Sequence, residues 1–277
     1  MRLQHCAGPA ASPYTAGMDA NHDNAPPRPR GRGIYLLPNL FTTGALFSGF
    51  FAIIAASQQR FEAACIAIFI AAILDGLDGR VARLTNTQSE FGVQYDSLSD
   101  LISFGMAPSL LMYHWALFSM KLDGSTLGRI GWLAAFLYAA CAALRLARFN
   151  TQVGVVDKRW FIGLNSPSSA GLMASFVWVC SDLGWSGDEL RYAALAVTVT
   201  AALLMVSRIR YNSFKGGGSG PKSDRVPFFA LLIVVVVLIA LAIDAPKTLL
   251  AATTLYALSG PLLWFRRRKL PLQAGDA

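Results

Sequence analysis

Eight apolar segments, each close to the length of a membrane-spanning helix, dominate this sequence. They lie at about 39–57, 61–84, 96–118, 127–149, 168–184, 189–207, 226–243 and 247–265. A helix needs roughly 20 predominantly apolar residues to cross a bilayer. Only 14% of the 277 residues are charged, whereas a soluble domain typically has about 25%. The sequence therefore predicts an all-α integral membrane protein with about eight transmembrane helices.

The basic residues are distributed unevenly between the two sides of these segments. One side would hold Arg60, Lys121, Arg129, Arg191 and Lys247, and the other side would hold the remaining 19 of the 24 Lys and Arg residues together with both termini. Because cytoplasmic loops carry the excess of Lys and Arg, we expect both termini in the cytoplasm and the protein in the cell (inner) membrane. This topological role accounts for the formal net charge of +8, so no nucleic-acid partner is expected.

Four aspartates stand at the ends of the second and third segments. The expected helix faces consist of Asp75, Asp78, Gly79 and Ala82 on the second segment and of Gly92, Asp96 and Asp100 on the third. Residues spaced three or four apart share one side of a helix. A short connection at about 85–91 would make the two helices antiparallel neighbours. The four carboxylates are therefore predicted to converge at the cytoplasmic end of the membrane.

Four crowded carboxylates cannot all stay ionised without a compensating positive charge. Divalent cations supply that charge, and a site made only of carboxylates suits Mg²⁺ or Mn²⁺ better than Zn²⁺. Gly79 and Gly92 would leave room for a substrate, and Arg83 could meet a phosphate. This pattern indicates metal-assisted phosphoryl-type transfer in which a spare carboxylate takes a proton. One or two aspartates would be ordinary helix caps, but a cluster facing only Arg80 and Arg83 favours a functional site.

The spacing D-x2-D-G-x2-A-R-x8-G-x3-D-x3-D over residues 75–100 resembles, without a gap, the signature of the CDP-alcohol phosphatidyltransferase family. Members use a pair of divalent metal ions to displace CMP from a CDP-linked lipid with an alcohol. The resemblance implies that Asp75, Asp78 and Asp96 ligate metal, and that Asp100 ligates the second metal and deprotonates the hydroxyl. The implied CDP site is lined by Gly79, Ala82, Arg83 and Gly92, with Asn39 and Thr42 of "LPNLFTTG" as further nucleotide contacts.

Three other stretches resemble the branch of this family whose acceptor is serine. They are "LPNLFT", "RLARFN" followed by "FIGLNSPSSAG", and "RIRYNSFK". This chain has Asn165, Ser168 and Ser169 where that branch usually has a proline and two alanines. The resemblance implies CDP-diacylglycerol and L-serine as substrates, CMP as the released product, and a homodimer.

The basic residues near the predicted site fit a serine acceptor, because its carboxylate requires a cation. The candidates on that side are Arg145, Arg148, Lys158, Arg159 and Lys215. Any one of them can instead be a topological charge. Arg145 and Arg148 are the better candidates, because they end an apolar segment and arginine can bind a carboxylate through two parallel hydrogen bonds.

Two alternatives remain open at this point. The same chemistry on glycerol 3-phosphate, inositol phosphate or choline would fit the carboxylates equally well, and a phosphate-bearing acceptor would also use the basic loop. An ion-coupled transporter is the more distant alternative. Transporter sites usually lie near the bilayer midplane between broken helices, whereas these aspartates cluster at one membrane face.

With this resemblance, the chain divides into five predicted regions. They are a disordered cytoplasmic tail (1–33), a catalytic core of six helices (34–215), a flexible cytoplasmic loop (216–225), a pair of additional transmembrane helices (226–265) and a basic cytoplasmic tail (266–277). The first tail is rich in Pro, Gly and Ala and has no apolar period, a composition typical of disorder.

Overall fold

The computed structural model describes residues 36–85, 89–152, 160–212 and 228–268. Helices form most of this part of the chain. They are α1 (Leu36–Ser57), α2 (Phe61–Leu84), α3 (Glu90–Asp100), α4 (Ala107–Trp115), α5 (Ser125–Gln152), α6 (Ser166–Asp182), α7 (Arg191–Val206), α8 (Phe228–Ile243) and α9 (Ala245–Arg268). A π-helical segment (Leu101–Met106) joins α3 to α4, and a 3₁₀ helix (Leu117–Asp123) follows α4. The all-α fold class predicted from the sequence is confirmed.

Each predicted apolar segment coincides with a helical stretch, and the third one differs most. Its helix begins at Glu90, six residues earlier than predicted, and continues through the π-helical segment into α4. Ser89 starts it: the residue is extended, and its side-chain oxygen accepts a hydrogen bond from the Gly92 amide at 3.0 Å. The first turns of α3 are polar, so a search for apolar residues alone begins too late.

Three helical stretches are long and apolar enough to cross a membrane by length and composition: Pro38–Ser57, Glu90–Asp123 and Ser125–Thr151. Arg191–Val206 and Val234–Ile243 are shorter apolar helices. The total of eight crossings therefore stays a prediction.

Apolar side chains cover the outside of the helix bundle as well as its interior. Phe47 is 71% exposed and Leu144 is 63% exposed, and α8 presents a run of exposed valines, leucines and isoleucines. Small residues occupy many of the buried positions where α1 meets α2, including Ala52, Ala56 and Ala64. Small residues at helix contacts and an apolar exterior are the pattern of helices packed within lipid.

Helix α1 is the common neighbour of α2 and of the rod formed by α3, the π-helical segment and α4. Three hydroxyl groups bind across these contacts: Ser48 donates to the Ala67 carbonyl at 2.8 Å, Ser99 to the Thr42 carbonyl at 3.2 Å and Ser103 to the Ala45 carbonyl at 3.1 Å. The sequence predicted α2 and α3 as direct neighbours. Instead both helices pack chiefly against α1, and their carboxylates meet beside its first turns.

Two three-residue strands connect the region before α6 to the region after α7. β1 (Trp160–Ile162) pairs antiparallel with β2 (Arg210–Asn212). Gly163 follows β1 with a φ of 82°, and a Cβ atom there would overlap the Met205 carbonyl oxygen. The sequence did not predict this pair, because strands of three residues carry too little periodicity.

Several predictions fall on residues outside the described ranges. These are the tail 1–33, Lys158 and Arg159, Lys215, and the loop 216–225. The C-terminal tail was predicted to begin at 266, but α9 continues through Arg268, and residues 269–277 lie beyond the described part.

Candidate active site

The structure brings the predicted aspartates together at one end of the bundle. Carboxylate oxygens of Asp75, Asp78 and Asp96 lie within 4.8 Å of one another. Asp78 is buried and the other two are half-buried. Asp100, one turn beyond Asp96, is close enough to interact electrostatically with Asp75 and Asp96. Two acids from α2 and two from the α3 rod therefore form a single cluster.

Thr42 on α1 holds one of these carboxylates in place. Its hydroxyl lies 2.7 Å from Asp78 Oδ2 and 3.1 Å from the Pro38 carbonyl oxygen. Both Thr42 and Asp78 are about 95% buried. The sequence predicted Thr42 as a nucleotide contact, and it contained no signal for this bond between positions 36 residues apart.

The donor atoms of this cluster fit a hard divalent cation. All are carboxylate oxygens, which Mg²⁺ and Mn²⁺ prefer. Asp96 Oδ1 is buried and has no hydrogen-bond partner within the described ranges, and a buried, unpaired carboxylate oxygen is costly unless a ligand compensates it. The cluster can therefore hold a metal ion.

Asp100 stands where α3 passes into the π-helical segment. A π-helical turn widens the backbone and is frequent at functional sites. The segment is anchored on two sides: Tyr138 on α5 donates to the Phe104 carbonyl at 3.1 Å, and Ser103 binds α1. These contacts fix the backbone that carries Asp100.

The small residues of the predicted CDP site lie in two different environments. A Cβ atom at Gly79 would meet nothing within 4 Å, so the α2 surface beside the aspartates is open there. A Cβ atom at Gly92 would lie 3.2 Å from Ser89 Oγ and 3.7 Å from Asn39 Oδ1. The side chain of Asn39 therefore lies next to the start of α3, as a shared site would require.

The remaining α2 residues of the predicted CDP site face outward. Ala82 is half-buried, and Arg83 is exposed together with Arg80. Neither arginine forms an ion pair with any residue of the described segments. Their guanidinium groups are thus available to a ligand at the open edge of the site.

Arg145 on α5 is a predicted acceptor contact that the structure places on the side of Asp100 and α6. Its Nη1 donates to Ser166 Oγ at 2.7 Å, while its Nε is buried without a hydrogen-bond partner among the described residues. Arg145 and Asp100 interact electrostatically but form no ion pair within 4.0 Å. Ser166, which is fully buried, was missed from the sequence, where it is one of several serines in "NSPSSAG".

The other positions of the serine-branch stretches have structural contacts of their own. Asn165 caps α6, its side chain accepting from the Ser168 amide at 2.9 Å. Arg148 is half-buried and makes a long, 3.5 Å contact with the Val206 carbonyl. Asn150 donates to Ser97 Oγ at 3.0 Å and so ties the end of α5 to α3 between the two aspartates.

Comparison with known proteins agrees with this arrangement. The family model described as CDP-alcohol phosphatidyltransferase matches residues 35–206. The chain belongs to the CDP-alcohol phosphatidyltransferase family. The match begins just before α1 and ends with α7, so it contains the carboxylate cluster and Arg145 and leaves α8 and α9 outside. Family membership and the apolar helices indicate a multi-pass membrane protein.

Individual relatives carry narrower names. The chain is 42% identical over 182 residues to the CDP-diacylglycerol–serine O-phosphatidyltransferase of Helicobacter pylori, covering 66% of this chain and 74% of that protein. It is 33% identical over 235 residues to the protein of the same name from Mycobacterium bovis, covering 80% and 77%. The archaetidylserine synthase of Methanothermobacter thermautotrophicus is 34% identical over 185 residues, covering 66% and 72%.

Proposed function

We propose that this protein transfers the phosphatidyl group of CDP-diacylglycerol to the hydroxyl of L-serine and releases CMP. The observation that carries the serine acceptor is the guanidinium of Arg145: its Nε is buried without a hydrogen-bond partner, and it has no ion-pair partner within 4.0 Å, among the described residues. The names of the relatives support the same acceptor.

In this proposal the four aspartates hold two divalent ions, Mg²⁺ or Mn²⁺. Asp75, Asp78 and Asp96 bind metal, and Asp100 contributes to the second ion. When bound, the ions supply the positive charge that neutralises the pyrophosphate of the CDP-linked lipid. Thr42 orients Asp78 from outside the ligand set, a role that commonly sets metal affinity.

The nucleotide would occupy the open surface next to this cluster. Gly79, which has free space in front of it, lets the pyrophosphate approach the α2 backbone, with Ala82 and Arg83 beyond it. Asn39 and Gly92 border the site on the side of α1 and α3. Thr42 contributes to the nucleotide site indirectly, through its hydrogen bond to Asp78.

Arg145 would receive the serine carboxylate. Arg145 is half-buried, and its Nε is buried without a partner among the described residues. A guanidinium that is partly removed from water and lacks a counter-charge is costly, so binding an anion there is favoured, and arginine suits a carboxylate because it can donate two parallel hydrogen bonds. Serine is short, so a carboxylate held at Arg145 places the hydroxyl towards Asp100. Arg148, Lys158 and Lys215 are secondary candidates for acceptor or phosphate contacts.

The reaction then follows from the roles of the residues. Asp100 accepts the proton of the serine hydroxyl as its oxygen attacks the phosphorus attached to diacylglycerol. A phosphorus–oxygen bond forms to serine, and the bond to the bridging pyrophosphate oxygen breaks. CMP leaves with that electron pair, and the proton passes from Asp100 to solvent.

We also propose an arrangement in the cell. The site and both termini face the cytoplasm, the protein lies in the inner membrane as a homodimer, and 34–215 forms the catalytic core next to the 226–265 helix pair. The 19 of 24 basic residues on the site's side of the predicted topology and the family match over 35–206 support this organisation.

The direct test measures CMP release by the purified protein in lipid–detergent micelles. CDP-diacylglycerol and Mn²⁺ or Mg²⁺ are supplied with serine, glycerol 3-phosphate, inositol phosphate, choline or no acceptor. We expect release that depends on serine and stops when the metal is chelated. Release with glycerol 3-phosphate and none with serine would refute the serine acceptor.

A further inference from the structure

A pair of polar side chains joins the last turn of α5 to the middle of α3. Asn150 Nδ2 donates to Ser97 Oγ at 3.0 Å, and both residues are half-buried. Among the described residues, these are the only side chains that form a hydrogen bond between the two helices. Ser97 lies between Asp96 and Asp100, and Asn150 lies five residues after Arg145. The pair therefore connects the helix that carries two of the aspartates with the helix that carries the proposed acceptor contact.

The single proton of the Ser97 hydroxyl decides the direction of this hydrogen bond. Ser97 Oγ lies 3.0 Å from the carbonyl oxygen of Val93, four residues earlier on α3, and 3.2 Å from Asn150 Oδ1. A carbonyl oxygen can only accept, and a hydroxyl has one proton to donate. All these groups are best satisfied when Ser97 donates to the Val93 carbonyl and accepts from the Asn150 amide. The side chain at position 150 is therefore needed as a donor.

Helix α5 is hydrogen-bonded on both sides of Arg145 to the rod formed by α3, the π-helical segment and α4. Seven residues before Arg145, Tyr138 donates to the Phe104 carbonyl at 3.1 Å. Five residues after it, Asn150 donates to Ser97. Helix α5 cannot shift along the rod without breaking one of these two hydrogen bonds. The separation of Arg145 from the aspartates of α3 therefore depends on both.

The aspartates themselves are held from another side. On α3, Ser99 donates to the Thr42 carbonyl of α1 at 3.2 Å, and the hydroxyl oxygens of Tyr95 and Thr43 lie 2.9 Å apart. Helix α2, which carries the other two aspartates, also packs against α1. Loss of the Asn150 hydrogen bond should therefore leave the carboxylate cluster in place and alter the acceptor side alone.

We propose that Asn150 is a positioning residue, which holds the end of α5 at a fixed distance from α3 so that an acceptor bound at Arg145 directs its hydroxyl to Asp100. This inference rests on the proposed function. The acceptor contacts groups on two helices, and groups that are already held in the bound arrangement cost less free energy to order when the ligand binds. Loss of the hydrogen bond should therefore weaken acceptor binding.

The test compares the Michaelis constants of the two substrates and the metal dependence. Asn150→Ala should raise the KM for serine about 3- to 10-fold, the effect of one ordinary hydrogen bond. The KM for CDP-diacylglycerol and the Mn²⁺ or Mg²⁺ concentration for half-maximal activity should not change, because α1 holds the carboxylate cluster. A merely structural asparagine would lower the Tm and the amount of active protein, and it would not change the KM of one substrate alone.

A double-mutant cycle tests whether Asn150 acts through Ser97. Ser97→Ala should raise the serine KM by the same factor as Asn150→Ala, and the double variant should show no further increase, because coupled residues are non-additive. Ser175→Ala is the matched control. The Ser175 hydroxyl also donates to the carbonyl four residues earlier, at 2.7 Å, and lies 3.2 Å from a side chain of another helix, Thr253 Oγ1. It is nine residues beyond Ser166 on α6, and the serine KM should not change.

Three results would overturn the inference while leaving serine transfer intact. They are an unchanged serine KM in Asn150→Ala, additive effects in the double variant, and an effect of Asn150→Ala that Ser97→Ala does not share, which would make Asn150 a direct acceptor contact. Absence of serine-dependent CMP release by the unmodified protein would refute the proposed function, and this inference with it.

Discussion

Thr42→Val tests whether the buried hydroxyl on α1 sets the metal affinity of the cluster. Valine keeps the shape of the side chain and removes the donor that lies 2.7 Å from Asp78 Oδ2. A hydrogen bond to a charged group contributes about 1.5–3 kcal/mol, which corresponds to roughly 10- to 150-fold in an equilibrium constant. The hydroxyl has one proton, and the Pro38 carbonyl at 3.1 Å competes for it, so we expect the lower part of that range.

The assay follows serine-dependent CMP release across a series of Mn²⁺ or Mg²⁺ concentrations. Thr42→Val should raise the metal concentration for half-maximal activity by about 10- to 50-fold, in line with the loss of a partner that orients a metal ligand. Saturating metal should restore most of the turnover. Thr42→Ser, which keeps a hydroxyl, should show the same metal dependence as the unmodified protein.

Thr198→Val is the control for the effect of removing a buried threonine hydroxyl from a helix. Thr198 is also fully buried, and it donates at 2.7 Å to the carbonyl four residues earlier, as Thr42 does towards Pro38. Thr198→Val should keep the metal dependence of the unmodified protein, and the reasoning fails if Thr42→Val keeps it too. A raised KM for CDP-diacylglycerol alone would instead make Thr42 a nucleotide contact.

Three further changes test other parts of the proposal. Asp100→Asn should abolish turnover while CDP-diacylglycerol still binds, measured by equilibrium binding; full activity would remove Asp100 from the mechanism. Arg145→Lys should raise the serine KM about 10- to 100-fold, because the charge stays but the paired hydrogen bonds are lost; an unchanged KM would place the carboxylate elsewhere. Gly163→Ala should lower the Tm more than Gly184→Ala. Both glycines have a positive φ, 82° and 76°, so an alanine at either position has a backbone cost of about 1 kcal/mol. Only the alanine at 163 would also overlap the Met205 carbonyl. Equal losses in a thermal melt would contradict this.

Local patterns explain what the sequence could predict. The helices follow from apolar length, and the faces of Asp75 with Asp78 and of Asp96 with Asp100 follow from helical spacing, both of which are properties of a few consecutive turns. The error at the start of α3 has the same origin. Ser89 and the polar residues after it form a capped helix, and a hydropathy pattern does not detect a polar helix.

The contacts that were missed join positions far apart in the chain. Thr42 and Asp78 are 36 residues apart, Arg145 and Ser166 are 21 apart, and Ser97 and Asn150 are 53 apart. No periodicity relates such pairs, since they depend on which helices become neighbours. The sequence predicted α2 beside α3, whereas the structure places α1 against both, and the threonine donor comes from that unexpected neighbour.

Asp100 links the two halves of the proposed site. It interacts electrostatically with Asp75 and Asp96 of the carboxylate cluster and also with Arg145. In the proposed site, a serine hydroxyl that reaches Asp100 would therefore be adjacent both to the phosphate at the cluster and to Arg145, the proposed partner of its carboxylate. The proposed donor side is built from α1, α2 and α3, and the proposed acceptor side from α5 and α6, all within the matched domain. We infer that changes of acceptor within this architecture require changes around Arg145 rather than among the aspartates.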